Sequence, residues 1–186
     1  MINPSIFKAY DIRGVYNVDF DDDFAYQLGL AYCQMRREEL GWDSFSVVVG
    51  RDMRLSSPAL HKRLIDGLID GGADIIDIGL CSTPTFYFAV AYYRYDGGIM
   101  ISASHNPKDW NGFKLVRQMA SPISENSGIK DLKNLIINKA VAVHSAKGTV
   151  FERNKVLNDQ INHDLAYVEA AAIKPLKIVF DSANAM

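Results

Sequence analysis

Apolar residues recur along this chain in two rhythms. Short unbroken runs at 46–50, 74–78 and 98–102, rich in Val, Ile and Gly, read as buried strands. A further run follows at 112–117, and another at 176–181. Residues 7–15 read as a loop leading into a strand, and 144–151 as a small, polar stretch that turns extended. Between the runs lie stripes at three- and four-residue spacing. Phe24, Leu28, Ala31 and Met35 line one face of a helix over 21–40. Acids at Asp21, Asp22 and Asp23 suit its positive end, Arg36 and Arg37 suit the other, and Gly41 is a natural stop. A second helix starts at Ser57-Pro58, a capping hydroxyl followed by a first-turn proline. Leu60, Leu64 and Leu68 give its stripe, flanked by Ile65 and Ile69, and Gly71-Gly72 ends it. Thr83-Pro84 opens a third helix through Tyr93. Residues 124–140, with Leu132, Leu135 and Ile136 inward, and 155–173 read as two more.

Strands alternating with helices of this length predict an α/β fold. The loop between 98–102 and 112–117 is too short for a helical crossover, so these two strands are expected to be antiparallel neighbours. The expectation is a three-layer α/β/α arrangement on a mixed, mainly parallel sheet.

A chain of 186 residues holds one full domain and a little more. With 48% hydrophobic and 23% charged residues, its composition is that of a globular protein. A net charge of −2 gives no reason to expect nucleic acid or an anionic membrane as partner. Cys33 and Cys81, on different elements and without metal-ligand spacing, read as free thiols. The N-terminus lacks the regions of a signal peptide, and the apolar stretch around 86–93 is about half the ~20 residues a membrane span needs. The expected localisation is cytoplasmic.

The chemistry concentrates after the run at 98–102. Ser104, His105, Asn106 and Pro107 arrive together, followed by a turn signal, Asn111-Gly112, and Lys114. Loops at the carboxyl ends of strands are where α/β proteins place their chemistry. A serine beside a histidine could also suggest a hydrolase. Adjacent side chains need not face each other, however, and the surroundings are not a G-x-S-x-G elbow.

Three segments carry a resemblance. Residues 101–107 read Ile-Ser-Ala-Ser-His-Asn-Pro, with Asn-Gly-Phe-Lys at 111–114. Residues 7–14 read Phe-Lys-Ala-Tyr-Asp-Ile-Arg-Gly. Residues 50–56 read Gly-Arg-Asp-Met-Arg-Leu-Ser. In this order they resemble the signatures of the α-D-phosphohexomutases, in the bacterial phosphomannomutase/phosphoglucomutase branch. The resemblance implies that Ser104 carries a phosphoryl group, gives it to a hexose phosphate and recovers it from the bisphosphate that forms. It implies Lys114 and Arg13 as cations on the phosphate, with His105 and Asn106 beside it. Tyr10 either lines the site or packs. Arg51 either holds the loop or phosphate, or makes a structural ion pair, as does Asp52. Mannose and glucose 1- and 6-phosphates are the implied ligands, with glucose 1,6-bisphosphate as activator.

Mg²⁺ is the implied metal, held by the phosphate on Ser104 and three aspartates of a D-G-D-G-D-R loop. No such loop occurs in these residues. The family has four domains, so the expected organisation is a first domain at 1–142, a linker and helix at 143–174, and the first strand of a second domain at 175–186. The remaining domains of the same polypeptide are the implied partners, and 1–186 alone should turn over little substrate; the alternative is a non-catalytic module of the same fold that binds a phosphorylated ligand or a partner. The aromatic residues Phe86, Tyr87, Phe88, Tyr92 and Tyr93 read as core rather than as a sugar platform. The acids at 21–23 read as helix-end charges rather than a metal cluster.

Overall fold

The computed structural model describes residues 2–181. Six strands form one sheet in the order β1-β5-β4-β2-β3-β6. They are β1 Ile12–Val15, β2 Ser46–Arg51, β3 Asp74–Leu80, β4 Gly97–Ile101, β5 Trp110–Arg117 and β6 Val150–Glu152. β2 pairs in parallel with both β3 and β4, and β3 with β6. β5 runs antiparallel to β4 and to β1. The sheet is therefore mixed and mostly parallel, with β5 alone reversed. The antiparallel pair expected on either side of the Ser104 loop is present.

Five helices flank the sheet: α1 Asp22–Leu40, α2 Ser57–Asp70, α3 Thr83–Tyr92, α4 Ile129–Ile137 and α5 Val156–Leu165. Alternating strand residues divide between two cores. Val47, Val49, Ile99 and Ile101 face α1, α2 and α4 through Leu28, Leu64 and Leu132. Val48, Met100 and Val116 face α3 and α5 through Phe86, Val90 and Val156. Both faces are covered, giving three layers.

The helix ends follow local chemistry. Asp21 caps α1 by accepting from the Phe24 N–H, and Gly41 closes it in the left-handed region. Asp22 accepts from the Tyr16 hydroxyl at 2.8 Å. The acidic run is thus used for capping and an element contact.

Several expectations need correction. Arg36 lies near the C-terminal end of α1 as expected, but its charge is used by tertiary partners rather than by the helix end. It is buried, bonded to the Asp96 carbonyl, Gln118 and Glu39. Ser57 is not the cap of α2. Ser56 holds that position without a side-chain capping bond, and the Ser57 hydroxyl donates to Asp52 instead. Asn111-Gly112 makes no turn. Both lie inside β5 with Asn111 fully buried, because β5 pairs on both sides and starts at Trp110. The helix over 124–140 shortens to α4, preceded by a 3₁₀ turn at Glu125–Ser127, since Gly128 at φ 144° breaks the path between them. The helix over 155–173 shortens to α5, followed by a 3₁₀ turn at Ala170–Ala172. Residues 176–181 form no strand, for no neighbouring strand lies beside them among the described residues. The rest of the expected 175–186 strand, 182–186, lies outside the described residues.

Candidate active site

Loops leaving the carboxyl ends of β2, β3 and β4 meet in one cleft of about 970 Å³. It is lined among others by Asp52, Arg54, Ser56, Ser82, Ser104 and Asn106. The connections after β2 and β3 depart to opposite faces, since α2 and α3 belong to different cores. A crevice opens at such a switch point.

Ser104 stands at the exit of β4 in the left-handed region, at φ 56°. That conformation costs an L-residue about 1–2 kcal/mol. Hydrogen bonds hold it there. The Ser104 N–H donates to Ser102 Oγ at 3.0 Å, and Asn106 Nδ2 donates to the Ala103 carbonyl at 2.7 Å. The Ser104 hydroxyl lies exposed, 3.3 Å from His105 Nδ1. No carboxylate is bonded to His105 among the described residues, so the orienting acid of a hydrolase triad is missing.

The loop is gripped from below by Arg54. Its Nη1 donates to the carbonyls of Pro107 at 2.6 Å and Trp110 at 2.9 Å. Its Nη2 donates to those of Ser104 at 2.9 Å and Asn106 at 2.7 Å. Nε pairs with Asp52 Oδ2 at 3.2 Å. The other Asp52 oxygen accepts from the Ser57 hydroxyl at 2.6 Å and the Arg54 N–H at 3.1 Å. Asn111 Nδ2 donates to the hydroxyls of Ser56 and Ser57 at 2.8 and 3.0 Å.

Sequence reasoning missed this arrangement. An Asp-x-Arg after a strand looks like a surface ion pair, and no spacing rule shows that four distant carbonyls converge on one guanidinium. The side chain of Arg51, the expected holder of the loop or phosphate, bonds only the Asp52 carbonyl among the described residues, at 3.4 Å.

Lys114 and Arg13 are brought together. Ile12 pairs with Phe113, which sets Asp11 across from Lys114 at the mouth of β1. Lys114 Nζ lies 3.5 Å from Asp11 Oδ2, and Arg13 Nε 3.4 Å from Asp11 Oδ1. Two cations against one carboxylate leave one positive charge in excess. Burial, together with the Asp11 charge, raises the pKa of Tyr87 on α3. Tyr10 is 74% exposed and so is not packed into the core of the described residues. Phe86 is core as expected. Tyr87, Phe88 and Tyr93 pack against that core, whereas Tyr92 is 52% exposed, and Phe88 and Tyr92 meet His163 of α5.

Among the described residues, no group of three or more His, Cys, Asp or Glu gathers as a metal site. Asp52, the acid behind the loop, is committed to Arg54 and Ser57. A hard cation needs several free oxygens. These residues do not fit a magnesium cage. No helix among the described residues is long and apolar enough to cross a membrane.

Comparison with known proteins places this geometry. Residues 4–140 match the family described as phosphoglucomutase/phosphomannomutase, alpha/beta/alpha domain I. A phosphomannomutase of Vibrio cholerae is 42% identical over 96% of this chain and 38% of its own length. One of Escherichia coli is 40% identical over 99% of this chain and 40% of its own. The crystal structure of a phosphoglucomutase/phosphomannomutase family protein from Burkholderia thailandensis superposes with a TM-score of 0.81 at 35% identity. It covers 90% of this chain and 37% of the other. The chain thus spans about two fifths of the length of its curated relatives. With the family matched over most of its residues and the fold shared, this chain belongs to the phosphoglucomutase/phosphomannomutase family through its α/β/α domain I.

Proposed function

We propose that this chain is the catalytic-serine domain of a phosphohexomutase that interconverts hexose 1-phosphates and 6-phosphates, with mannose and glucose phosphates as substrates. Residues 1–142 form the domain with the serine loop, 143–174 connect it, and 175–186 open the next. The observation that carries this reading is Ser104 itself. It is an exposed hydroxyl at a strand exit, on a loop fixed from beneath, in a chain whose relatives include proteins named phosphomannomutase and phosphohexose mutases.

In the transfer, Ser104 Oγ forms a bond to phosphorus while the bond from phosphorus to a sugar oxygen breaks. The serine proton ends on that sugar oxygen. That step restores the phosphoserine from one end of the bisphosphate; the bisphosphate arises in the preceding step, in which a hydroxyl oxygen of the hexose phosphate bonds to the phosphorus carried by Ser104, the P–Oγ bond breaks and the hydroxyl proton ends on Oγ. His105 Nδ1, at 3.3 Å, is close enough to relay the proton. Lys114 and Arg13, with their excess positive charge, offset the phosphoryl charge, and catalysis of this kind is mostly positioning and electrostatics. Asn106 shapes the turn.

Mass spectrometry of the intact chain after incubation with glucose 1,6-bisphosphate and Mg²⁺ tests the reading. One phosphoryl group should appear on Ser104 and none in Ser104→Ala. Net mutase turnover should be absent, because the metal acids and sugar contacts are not among these residues. Phosphate mapped elsewhere, or none, counts against Ser104 as nucleophile. Full turnover by residues 1–186 counts against the need for further domains.

A further inference from the structure

The β2–α2 loop contains a cation that its surroundings have already used. Arg54 has five N–H donors. Its two terminal nitrogens reach four carbonyls, those of Ser104, Asn106, Pro107 and Trp110, and its Nε reaches Asp52. Its side chain is only 12% exposed. The carboxylate that neutralises it is fixed in turn by Ser57 and, through the Ser57 hydroxyl, by Asn111 of β5. A phosphate-binding arginine keeps its fork open toward the ligand. Here the fork is filled by main-chain oxygens.

We propose that Arg54 is the positioning residue of the nucleophile loop, a guanidinium that holds the turn presenting Ser104 and does not bind phosphate. The proposal rests on the phosphohexomutase reading above. Its physical basis is the strain at Ser104. A serine at φ 56° relaxes toward the extended or right-handed regions unless its flanks are fixed. Arg54 fixes the carbonyl of Ser104 and those of two residues just after it. A planar guanidinium does this in one piece, whereas an ammonium has three donors and no fork. Misplacing a nucleophile by about 1 Å costs roughly a hundredfold in rate.

Two readouts on the 186-residue chain decide the matter. The first is amide hydrogen exchange, comparing the parent with Arg54→Ala and Arg54→Lys. Peptides spanning 102–112 should exchange at least about tenfold faster in Arg54→Ala, while those of α1 keep their protection. Arg54→Lys should lie between and guards against a misfolded alanine variant. Unchanged exchange over 102–112 in both variants overturns the proposal. The second is the rate of Ser104 phosphorylation against glucose 1,6-bisphosphate concentration. The limiting rate should fall about ten- to a hundredfold with little change in the half-saturating concentration. The opposite split, a raised half-saturation with the limiting rate kept, makes Arg54 a phosphate ligand and overturns it too. If the parent itself takes no phosphate, the functional reading falls, and the exchange result still decides the role of Arg54.

Discussion

Asn111 is fully buried, and both ends of its amide are in use. Nδ2 donates to two serine hydroxyls, and Oδ1 accepts from the Gly112 N–H at 2.8 Å. Through Ser57 and Asp52 it ties β5 to the loop that carries Arg54. Replacing it with alanine leaves the buried Ser57 hydroxyl without the donor it accepts from. Such losses cost about 1–3 kcal/mol. For a chain of this size each kcal/mol is worth roughly 2–4 °C. Asn111→Ala should therefore melt several degrees below the parent, by circular dichroism at neutral pH. A melting temperature equal to the parent's would show that the amide is not part of the scaffold. Gly112 beside it has its own constraint. A Cβ there would meet the Ile12 carbonyl oxygen at 2.3 Å, so the close pairing of β1 and β5 needs glycine.

At the level of elements, α1 and α2 cross at two glycines. A Cβ at Gly67 would sit 2.2 Å from the Tyr26 carbonyl oxygen, and one at Gly29 would sit 2.8 Å from the Leu64 carbonyl oxygen. The obstacles are backbone atoms, which cannot rotate aside. Gly67→Ala should force the helices apart and cost about 1–3 kcal/mol, despite alanine's better helix propensity. A lowered urea midpoint with unchanged m-value is the expected result, and a raised midpoint would mean that the crossing relaxes freely. The same elements show what the sequence could reveal. α1 was legible because Phe24, Leu28, Ala31 and Met35 repeat at helical spacing and Asp21 and Gly41 mark its ends. The serine loop was legible because its residues are contiguous. Arg54 was not, because its partners lie about fifty residues downstream and are main-chain carbonyls, which leave no trace in side-chain identity. Asn111-Gly112 misled because the amide that favours a turn in water also serves a buried strand when two hydroxyls wait for it. The helices over 124–140 and 155–173 were overextended because apolar spacing continues past the point where Gly128 or a lost packing surface stops them.

Across the whole molecule, ionisable groups that join distant elements set the pH range of stability. The Lys147 ammonium and the Tyr26 hydroxyl hold the Asp70 carboxyl below its usual range. The Val15 N–H and Asn3 do the same for Asp19. Burial pushes Asp77 up, but the His61 ring and the Gly79 N–H outweigh it. At Glu39 burial is likewise outweighed, by Arg117 and Arg36. A folded-state pKa below the unfolded value of about 4 stabilises the fold above that pH. The contribution is lost as pH falls through the folded value. At the alkaline end the signs reverse. Burial pushes the Cys33 and Cys81 thiols up to about 12. An unfolded thiol ionises near 8.5, so their contribution is whole below that pH and declines from there toward 12. The urea midpoint should thus be level between about pH 5 and 8 and fall on both sides. Asp70→Asn should make the acid limb shallower and leave the alkaline limb alone, and Cys81→Ala should do the reverse. A midpoint that stays level down to about pH 3 would mean that these pairs are equally satisfied in the unfolded chain, and that the fold does not depend on them.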